Sequence, residues 1–265
     1  MIRILAILSA LALAACSQPA DDSEATAPEA AAPAAGPSIY AAALANENRP
    51  AADRDRDANR KPAEVLEFLG ITPGMTVLDM FSGGRYYTEI LAHTVGDGGR
   101  VIAHSNEAYI RFVGEEFEQR YLGGRLPNAE VLMAENNELA LEPDSLDAIM
   151  LVLSFHDLYF ADPENGWPAF DVDKFLAELK SGLKADGVIG IIDHYAAEGA
   201  AIESASTVHR IDPAIVIDAM TAAGFRLDAQ SDLLRNPEDD HEKLVFDAEV
   251  RGKTDRFVMR FVKAD

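Results

Sequence analysis

The chain has 265 residues, a formal net charge of −22 at pH 7 and a single cysteine. Phosphate backbones repel so acidic a protein, which argues against nucleic acid as a partner, and anionic lipid headgroups would repel it too. A lone cysteine excludes an internal disulfide and a cysteine-based zinc cluster.

The first sixteen residues have the pattern of a secretory signal. Arg3 supplies one early positive charge, and an apolar run, too short to span a bilayer as a mature helix, ends in small residues before Cys16. The ending LAAC resembles the bacterial lipobox, which implies a signal peptide over residues 1–15 and a lipid on Cys16. An ordinary signal peptide with a chance cysteine is the alternative. Ser17 replaces the aspartate that would indicate inner-membrane retention, so we expect an outer-membrane lipoprotein that faces the periplasm.

The composition changes again after the signal. Residues 16–38 are rich in alanine, proline and acids, which cannot build a core, so we expect a disordered tether. From residue 39 to residue 265 the composition is globular, and this length fits one large α/β domain better than two small ones.

Apolar strands and helical stretches alternate along the globular segment. The predicted elements, in chain order, are a helix from Pro62 to Gly70, a strand in MTVLDM, a helix in YYTEILAHTV, a strand in RVIAHS, a helix in EAYIRFVGEEFEQRYL, strands in AEVLMA and LDAIMLVLSF, a helix in DVDKFLAELKSGL, a strand in GVIGIID, a helix in DPAIVIDAMTAAGF, and strands in FRLDAQSDLL and DRFVMRFVK. The last two alternate apolar and polar residues, which suits antiparallel strands at one end of a sheet.

This order predicts an α/β fold with a doubly wound, mostly parallel sheet. Ligands of such sheets bind beyond the carboxyl ends of the strands, near the point where the strand order reverses. The residues that follow each strand are therefore the candidates for chemistry.

The ordered motifs resemble those of the class I S-adenosylmethionine-dependent methyltransferases. The matching stretches are VLDMFSGGRYYTEIL for motif I, GGRVIAHSNE for the second strand, VLMAENNELALEPDSLDAIML for the adenine-side turn and fourth strand, and LKADGVIGIID for the turn before the fifth strand. The resemblance implies a Rossmann-like, seven-stranded sheet with an antiparallel C-terminal strand, and S-adenosylmethionine as cofactor. More narrowly, GGRYYTEIL, SFHDLY, IDHYA, HRIDPA, LRNPEDD and RGKTDRF resemble a subgroup of exported bacterial predicted methyltransferases.

By this resemblance, the loop after the first strand cradles the methionine end of the cofactor. Gly83 and Gly84 let the backbone approach closely, and the following helix offers its N-terminal N–H groups to the cofactor carboxylate. Asp79 would meet the amino group or its water, and Phe81 and Ser82 complete the loop. A tight turn with a capping acid is the alternative.

Two positions in this loop depart from the family pattern. Phe81 stands where the first glycine is expected, and Arg85 where the last is expected. The Arg85 side chain could point to solvent, bind the cofactor carboxylate or fill the pocket.

Resemblance also assigns residues to the adenosine half of the cofactor. Ser105 stands where the family usually has an acid that grips both ribose hydroxyls, and a neutral hydroxyl makes a weaker bond. Asn106 or Glu107 could substitute for that acid, and Glu135 and Asn136 match the adenine-edge turn, although a plain polar loop is the alternative. Ser154 could line the pocket wall.

Histidines fall at the carboxyl ends of several predicted strands. His156, Asp157 and His194 are the predicted catalytic residues, because a neutral histidine there could take a proton from an acceptor hydroxyl or amine while a carboxylate orients it. His104 and His209 are expected on the same rim. Structural, hydrogen-bonded histidines are the alternative. These groups would suffice for a divalent metal, but no His-x-x-x-His pair is present and no metal ligand is assigned.

The segment RDRDANR carries rare positive charges at Arg54, Arg56 and Arg60. They could clamp the entrance of the site or pair with the neighbouring aspartates on a solvated face, which is the slightly favoured interpretation. The stretches RNPEDD and RGKTDR near the C-terminus are compatible with a structural ion-pair network.

The leading functional hypothesis is a membrane-anchored methyltransferase that acts on a small-molecule acceptor. The export signal conflicts with a cofactor made in the cytosol. A lipid-anchored binding protein that kept the fold without methyl transfer, or a metal-dependent hydrolase on the histidine rim, are therefore the alternatives.

Overall fold

The structure is a computed structural model that describes residues 38–114 and 125–265. The signal peptide, Cys16 and nearly all of the predicted tether lie outside the described residues, as does the end of the helix predicted in EAYIRFVGEEFEQRYL. Within the two described ranges, no helix combines the length and the apolar character needed to cross a bilayer.

The described residues form one mixed sheet. Its strands are β1 (Thr76–Met80), β2 (Arg100–Ser105), β3 (Ala129–Met133), β4 (Leu146–Val152), β5 (Leu183–His194), β6 (Phe225–Ser231) and β7 (Arg256–Lys263). The spatial order is β3-β2-β1-β4-β5-β7-β6. The first five strands pair in parallel, and β7 runs antiparallel to both of its neighbours. The predicted doubly wound, seven-stranded α/β fold with an antiparallel C-terminal strand is confirmed.

Helices connect these strands and cover the sheet. They are α1 (Ile39–Leu44), α2 (Ala51–Arg54), α3 (Asp57–Arg60), α4 (Pro62–Leu69), α5 (Tyr86–Val95), α6 (Glu107–Val113), α7 (Val172–Gly182), α8 (Ser204–Thr207) and α9 (Pro213–Ala222), with short 3₁₀ turns at His156–Tyr159 and Pro163–Asn165. Side-chain caps begin several of them, since Asn106, Asp171 and Asp212 each accept a backbone N–H of the first turn.

Two predicted boundaries were wrong. The fourth strand was expected to continue to Phe155, but β4 ends at Val152 because Leu153 adopts a left-handed backbone (φ 57°) that leaves the sheet. The fifth strand was expected to begin at Gly187, but β5 begins at Leu183, which pairs with Leu146 before the register shifts. An extra stretch of strand thus directly follows α7.

The core consists of two layers, one on each face of the sheet. On one face, alternate residues such as Leu78 and Ile149 pack against α7 and α9. On the other face, their neighbours, such as Val77 and Met150, pack against α4 and α5. Because both faces are buried, the central strands read as continuous apolar runs rather than as alternating patterns.

Buried ion pairs organise the C-terminal segments. The Arg210 guanidinium, fully buried, donates to both carboxylate oxygens of Asp239 at 2.9 and 3.0 Å. Asp255, also buried, accepts from Arg235 Nε at 2.9 Å and approaches His241 Nε2 at 3.0 Å. These contacts agree with the structural ion-pair network expected for RNPEDD and RGKTDR.

Close packing of α4 on β5 generates a test of the fold. A Cβ added at Gly190 of β5 would lie 2.5 Å from Leu69 Cδ1, whereas one added at Gly98 would meet nothing within 4 Å. We expect Gly190→Ala to lower the free energy of unfolding in urea by about 1–3 kcal/mol, as overpacked cores do. Gly98→Ala is the control, with a change within about 0.5 kcal/mol. Equal stability of the two variants would contradict this account of the helix–sheet contact.

Candidate functional site

Two neighbouring cavities open at the carboxyl edge of the sheet. The first, here the loop cavity, has a volume of about 230 Å³ and lies against the loop after β1. The second, here the aromatic cavity, has a volume of about 320 Å³. Both are lined by Tyr109, Phe112 and Leu153, so these three side chains form a shared wall. The cavities lie where ligands of doubly wound sheets bind.

The β1 loop makes a tight turn held to the neighbouring strand. Phe81, Gly83 and Arg85 all have left-handed backbones, with φ of 48°, 46° and 60°. The backbone N–H and the hydroxyl of Ser82 both donate to the His104 carbonyl, at 2.9 and 3.0 Å. The structure therefore brings together Phe81, Ser82, Gly83, Gly84 and Arg85 along the loop cavity, as the sequence analysis expects.

Asp79 lies near the end of β1, just before this loop. Its carboxylate is buried and accepts a hydrogen bond from Thr88 Oγ1 at 2.6 Å. Burial raises the pKa of Asp79 to about 6, against the opposing effects of the Thr88 hydrogen bond and the charge of Arg85. A cation bound in the loop cavity beside Asp79 would therefore stabilise the ionised form of this carboxylate.

Positively charged side chains also line the loop cavity. The guanidinium groups of Arg56 and Arg60 lie 4.9 and 4.7 Å from the centre of the Tyr86 ring. Arg56 also forms an ion pair with Asp53, whereas Arg60 makes no hydrogen bond or ion pair with the described part of the chain. The expected pairing with a neighbouring aspartate thus occurs for Arg56, although Asp53 is buried and not on a solvated face, and it does not occur for Arg60 within the described residues.

Hydrogen bonds connect some of the predicted adenosine-side residues. Asn106 Nδ2 donates to Asn136 Oδ1 at 2.6 Å, and Glu135 accepts the backbone N–H of Glu107. Ser105 and Ser154 are buried, and their hydroxyls have no hydrogen-bond partner among the described residues. None of Ser105, Asn106, Glu135, Asn136 and Ser154 lines the loop cavity. The structure therefore brings Asn106 and Asn136 into contact, and no hydrogen bond of the described residues joins the hydroxyls of Ser105 and Ser154 to them.

Phe81 lies in an aromatic cluster. Its ring stacks on Tyr109, with centroids 4.8 Å apart, and on Phe175 at 5.8 Å. The His104 ring meets it edge-on at 5.1 Å. His104 is buried, and burial lowers its pKa to about 4, so it packs as a neutral core residue and lines neither cavity.

The aromatic cavity contains the polar cluster that the sequence analysis places in catalysis. His156 Nδ1 lies 2.8 Å from Asp193 Oδ1, and its Nε2 lies 3.2 Å from Asp157 Oδ1. His209 Nδ1 lies 3.3 Å from His156 Nε2, and the Tyr109 hydroxyl donates to Asp157 Oδ2. Asp193, in the next strand along the chain, thus pairs with the ring of His156 rather than with the ring of its neighbour His194.

Electrostatics differ sharply between these histidines. Burial alone would lower the pKa of His156, but the charges of Asp193 and Asp157 raise it to about 10. Burial would raise the pKa of Asp157, but the positive His156 lowers it well below its usual range. Burial and the charge of His156 hold the pKa of His194 far below its usual value, and its Nδ1 lies 2.7 Å from Thr254 Oγ1.

The rest of the aromatic cavity comes from segments that the sequence analysis did not assign to the site. Phe160 and Trp167 follow the first 3₁₀ turn, and Val245 and Phe246 come from the segment between β6 and β7. These residues carry no polar motif, and only their aromatic character next to SFHDLY could have suggested a binding wall.

The comparisons with known proteins concern the same elements. Residues 55–112, which include β1, its loop, β2 and nearly all of α6, match the model of the family protein-L-isoaspartate(D-aspartate) O-methyltransferase. No protein of curated function matches the chain significantly. A SAM-dependent methyltransferase from Aquifex aeolicus superposes with a TM-score of 0.54 at 24% identity, over 79% of this chain and 99% of that chain.

Other solved structures have the same architecture. A chain in the complex of the Haloferax volcanii Trm112 methyltransferase activator with its methyltransferase partner gives a TM-score of 0.53 at 17% identity, over 86% of this chain and 98% of that chain. An arsenic(III) S-adenosylmethionine methyltransferase from Chlamydomonas reinhardtii gives 0.51 at 19% identity, over 87% and 75%. The fold is that of the S-adenosylmethionine-dependent methyltransferases.

The raised pKa of Asp79 leads to a prediction about stability. Because the folded-state value of about 6 exceeds the ordinary value of 3.8, ionisation opposes folding, and the penalty grows as the pH rises between these values. We expect Asp79→Asn to be more stable than the parent by about 3 kcal/mol at pH 7, with a much smaller difference at pH 4. Urea unfolding at both pH values measures it, with the exposed Asp186→Asn as control. A difference independent of pH would contradict the assigned cause.

Proposed function

We propose that the protein is an S-adenosylmethionine-dependent methyltransferase that acts on a small-molecule acceptor. The observation that carries this proposal is the pair of cavities at the carboxyl edge of a methyltransferase-type sheet, which share the wall formed by Tyr109, Phe112 and Leu153. One cavity has the charges for a cofactor and the other has an apolar lining for an acceptor. Because the two cavities adjoin at these residues, a methyl donor in one and an acceptor in the other would face each other there. Alignment of the acceptor atom, the methyl group and the sulfur is the main catalytic requirement.

The chemistry of the loop cavity fits the methionine half of the cofactor. That half carries an ammonium and a carboxylate, and the cavity is lined by the buried carboxylate of Asp79 and by the guanidinium of Arg60. Gly83 and Gly84 line the cavity just before α5 begins, and the N-terminus of a helix favours an anion. When bound, S-adenosylmethionine supplies a methyl group on a positively charged sulfur.

Arg85 occupies the third position of this charge arrangement. It lines the loop cavity, only 4% of its surface is exposed, and its charge acts on Asp79. Of the three orientations considered for Arg85, an inward one is what the geometry supports. Its role in the proposal is to share the cofactor carboxylate with Arg60, while its left-handed backbone forms the turn that begins α5.

The aromatic cavity fits a small, partly apolar acceptor. Phe160, Trp167 and Phe246 belong to its apolar lining, and a volume of about 320 Å³ suits a small organic molecule. The polar edge comes from His156, Asp157 and His209, which would orient the reacting group of the acceptor. His194 also lines this cavity, but its Nδ1 is committed to Thr254, so we assign it to positioning.

Binding of the demethylated cofactor, S-adenosylhomocysteine, is the direct test. We expect isothermal titration calorimetry to give one site per chain. Arg60→Gln should weaken the affinity about tenfold to 100-fold, because it removes a charge-assisted contact to the carboxylate. Arg226→Gln, which removes a surface charge paired with Asp228, is the matched control and should bind like the parent.

Absence of binding at millimolar S-adenosylhomocysteine would refute the proposed cofactor. A binding protein that kept the fold without methyl transfer would then be the better description. Mass spectrometry of small molecules that co-purify with the chain would identify its ligand in that case.

We further propose that a lipid on Cys16 anchors the chain in the outer membrane, on the periplasmic side. The support is the sequence alone, because the only cysteine follows the signal-like segment directly. Cys16→Ser should move the protein from the membrane to the soluble fraction of fractionated cells, and it should abolish labelling by radioactive palmitate. Ser17→Asp keeps the lipid and should redirect the protein to the inner membrane. A Cys16→Ser protein that stays in the outer membrane would contradict the anchor.

A further inference from the structure

Three ligand-type atoms converge at the polar edge of the aromatic cavity. His156 Nε2, Asp157 Oδ1 and His209 Nδ1 all lie within 4.8 Å of one another. The three separations are 3.2 Å between His156 Nε2 and Asp157 Oδ1, 3.3 Å between the two nitrogens, and 3.6 Å between His209 Nδ1 and Asp157 Oδ1. Ligands bound at about 2.1 Å in a tetrahedron lie about 3.4 Å apart, which is the size of this triangle.

Neighbouring groups hold these ligands in orientation. Asp193 Oδ1 faces His156 Nδ1 at 2.8 Å, and Asp193 Oδ2 accepts the His156 backbone N–H at 2.8 Å. This leaves His156 Nε2 directed at Asp157 and His209. The Tyr109 hydroxyl donates to the other carboxylate oxygen of Asp157. A buried carboxylate behind the far nitrogen of a histidine is the usual support of a metal-binding imidazole.

The backbone of His209 is an independent indication. It adopts a left-handed conformation, with φ of 54°, which is uncommon for a residue other than glycine. Such conformations persist where the surrounding structure requires them, and they concentrate at functional sites. Here the conformation precedes Arg210, whose buried pair with Asp239 fixes the chain, and it accompanies the placement of the His209 ring against His156.

We propose that His156, Asp157 and His209 bind a divalent metal ion of the zinc class, with its remaining coordination position open to the aromatic cavity. Two imidazole nitrogens and one carboxylate oxygen favour Zn²⁺ and similar transition ions over Mg²⁺ and Ca²⁺, which prefer oxygen ligands. Three protein ligands with one open position is the arrangement of catalytic rather than structural zinc.

The position of this site specifies the acceptor class. All three ligands line the aromatic cavity, so the open coordination position faces the space assigned to the acceptor. The ion would take an oxygen or sulfur atom of the acceptor, and the aromatic walls would hold its apolar body. This part of the inference rests on the proposed methyltransferase function, and it predicts an acceptor with a hydroxyl, thiol or carboxylate group.

Metal binding can be measured without cofactor or acceptor. The full-length chain is treated with a chelator, freed of it and titrated with Zn²⁺ by calorimetry, and with Co²⁺ by visible absorption. We expect one Zn²⁺ per chain and the intense visible bands of tetrahedral Co²⁺. His209→Gln should weaken Zn²⁺ binding at least 100-fold, and Asp193→Asn should weaken it about tenfold to 100-fold through the orientation of His156.

His93→Gln is the matched control, because His93 is a half-buried histidine of α5 that lines neither cavity. It should bind Zn²⁺ like the parent chain. His209 is only partly buried, so its variant should fold, and circular dichroism checks this. If His209→Gln and His93→Gln bind Zn²⁺ equally, or if the parent shows no stoichiometric binding, the proposed site is wrong.

The open position has its own readout. Acetohydroxamic acid, a small oxygen chelator, should change the visible spectrum of the Co²⁺-loaded chain, whereas a closed site would leave the spectrum unchanged and overturn that part of the proposal. These results are independent of S-adenosylhomocysteine binding. If the chain binds Zn²⁺ but not S-adenosylhomocysteine, the metal site is supported and the methyltransferase proposal is refuted. If it binds S-adenosylhomocysteine but not Zn²⁺, the metal site is refuted and the methyltransferase proposal is supported.

Discussion

The arrangement of the site depends on one fully buried carboxylate, that of Asp193 at the end of β5. A buried charge must be compensated by hydrogen bonds, and Asp193 meets three donors within 2.8 Å, from the backbone and ring of His156 and the backbone of His194. These bonds fix the turn after β4 against the end of β5. The turn in turn places Asp157 against Tyr109, whose ring forms part of the shared wall.

The two cavities differ in the charges of their lining residues. The loop cavity is lined by one carboxylate and several guanidinium groups, which complements a ligand that carries both charges. In the aromatic cavity the negative groups cluster around His156, while the remaining wall is uncharged. Several positive side chains of this strongly negative chain thus lie together at the loop cavity. The net charge alone would suggest a uniformly acidic surface.

Much of the fold was predictable because periodicity and turn residues determine it locally. The first three strands and the helices YYTEILAHTV and DPAIVIDAMTAAGF match the structure closely, and the motif order implied the sheet. Side-chain partners across the sheet were not predictable. Nothing in the sequence distinguishes Asp193 as the partner of His156 rather than of His194, and the burial of His104 follows from packing against Phe81. Likewise, Asp57 forms its ion pair with Arg49, which lies outside the RDRDANR segment, and not with Arg60.

Tyr109 belongs to both cavities and also bonds to Asp157. A ligand that shifts this ring from one side therefore alters the position of a polar group on the other side. Such coupling is reciprocal: whatever factor one ligand contributes to the affinity of the second, the second contributes to the first. A ligand in either cavity that moved the Tyr109 ring would thus change the affinity of the other cavity, with a sign set by whether both ligands favour the same position of the ring.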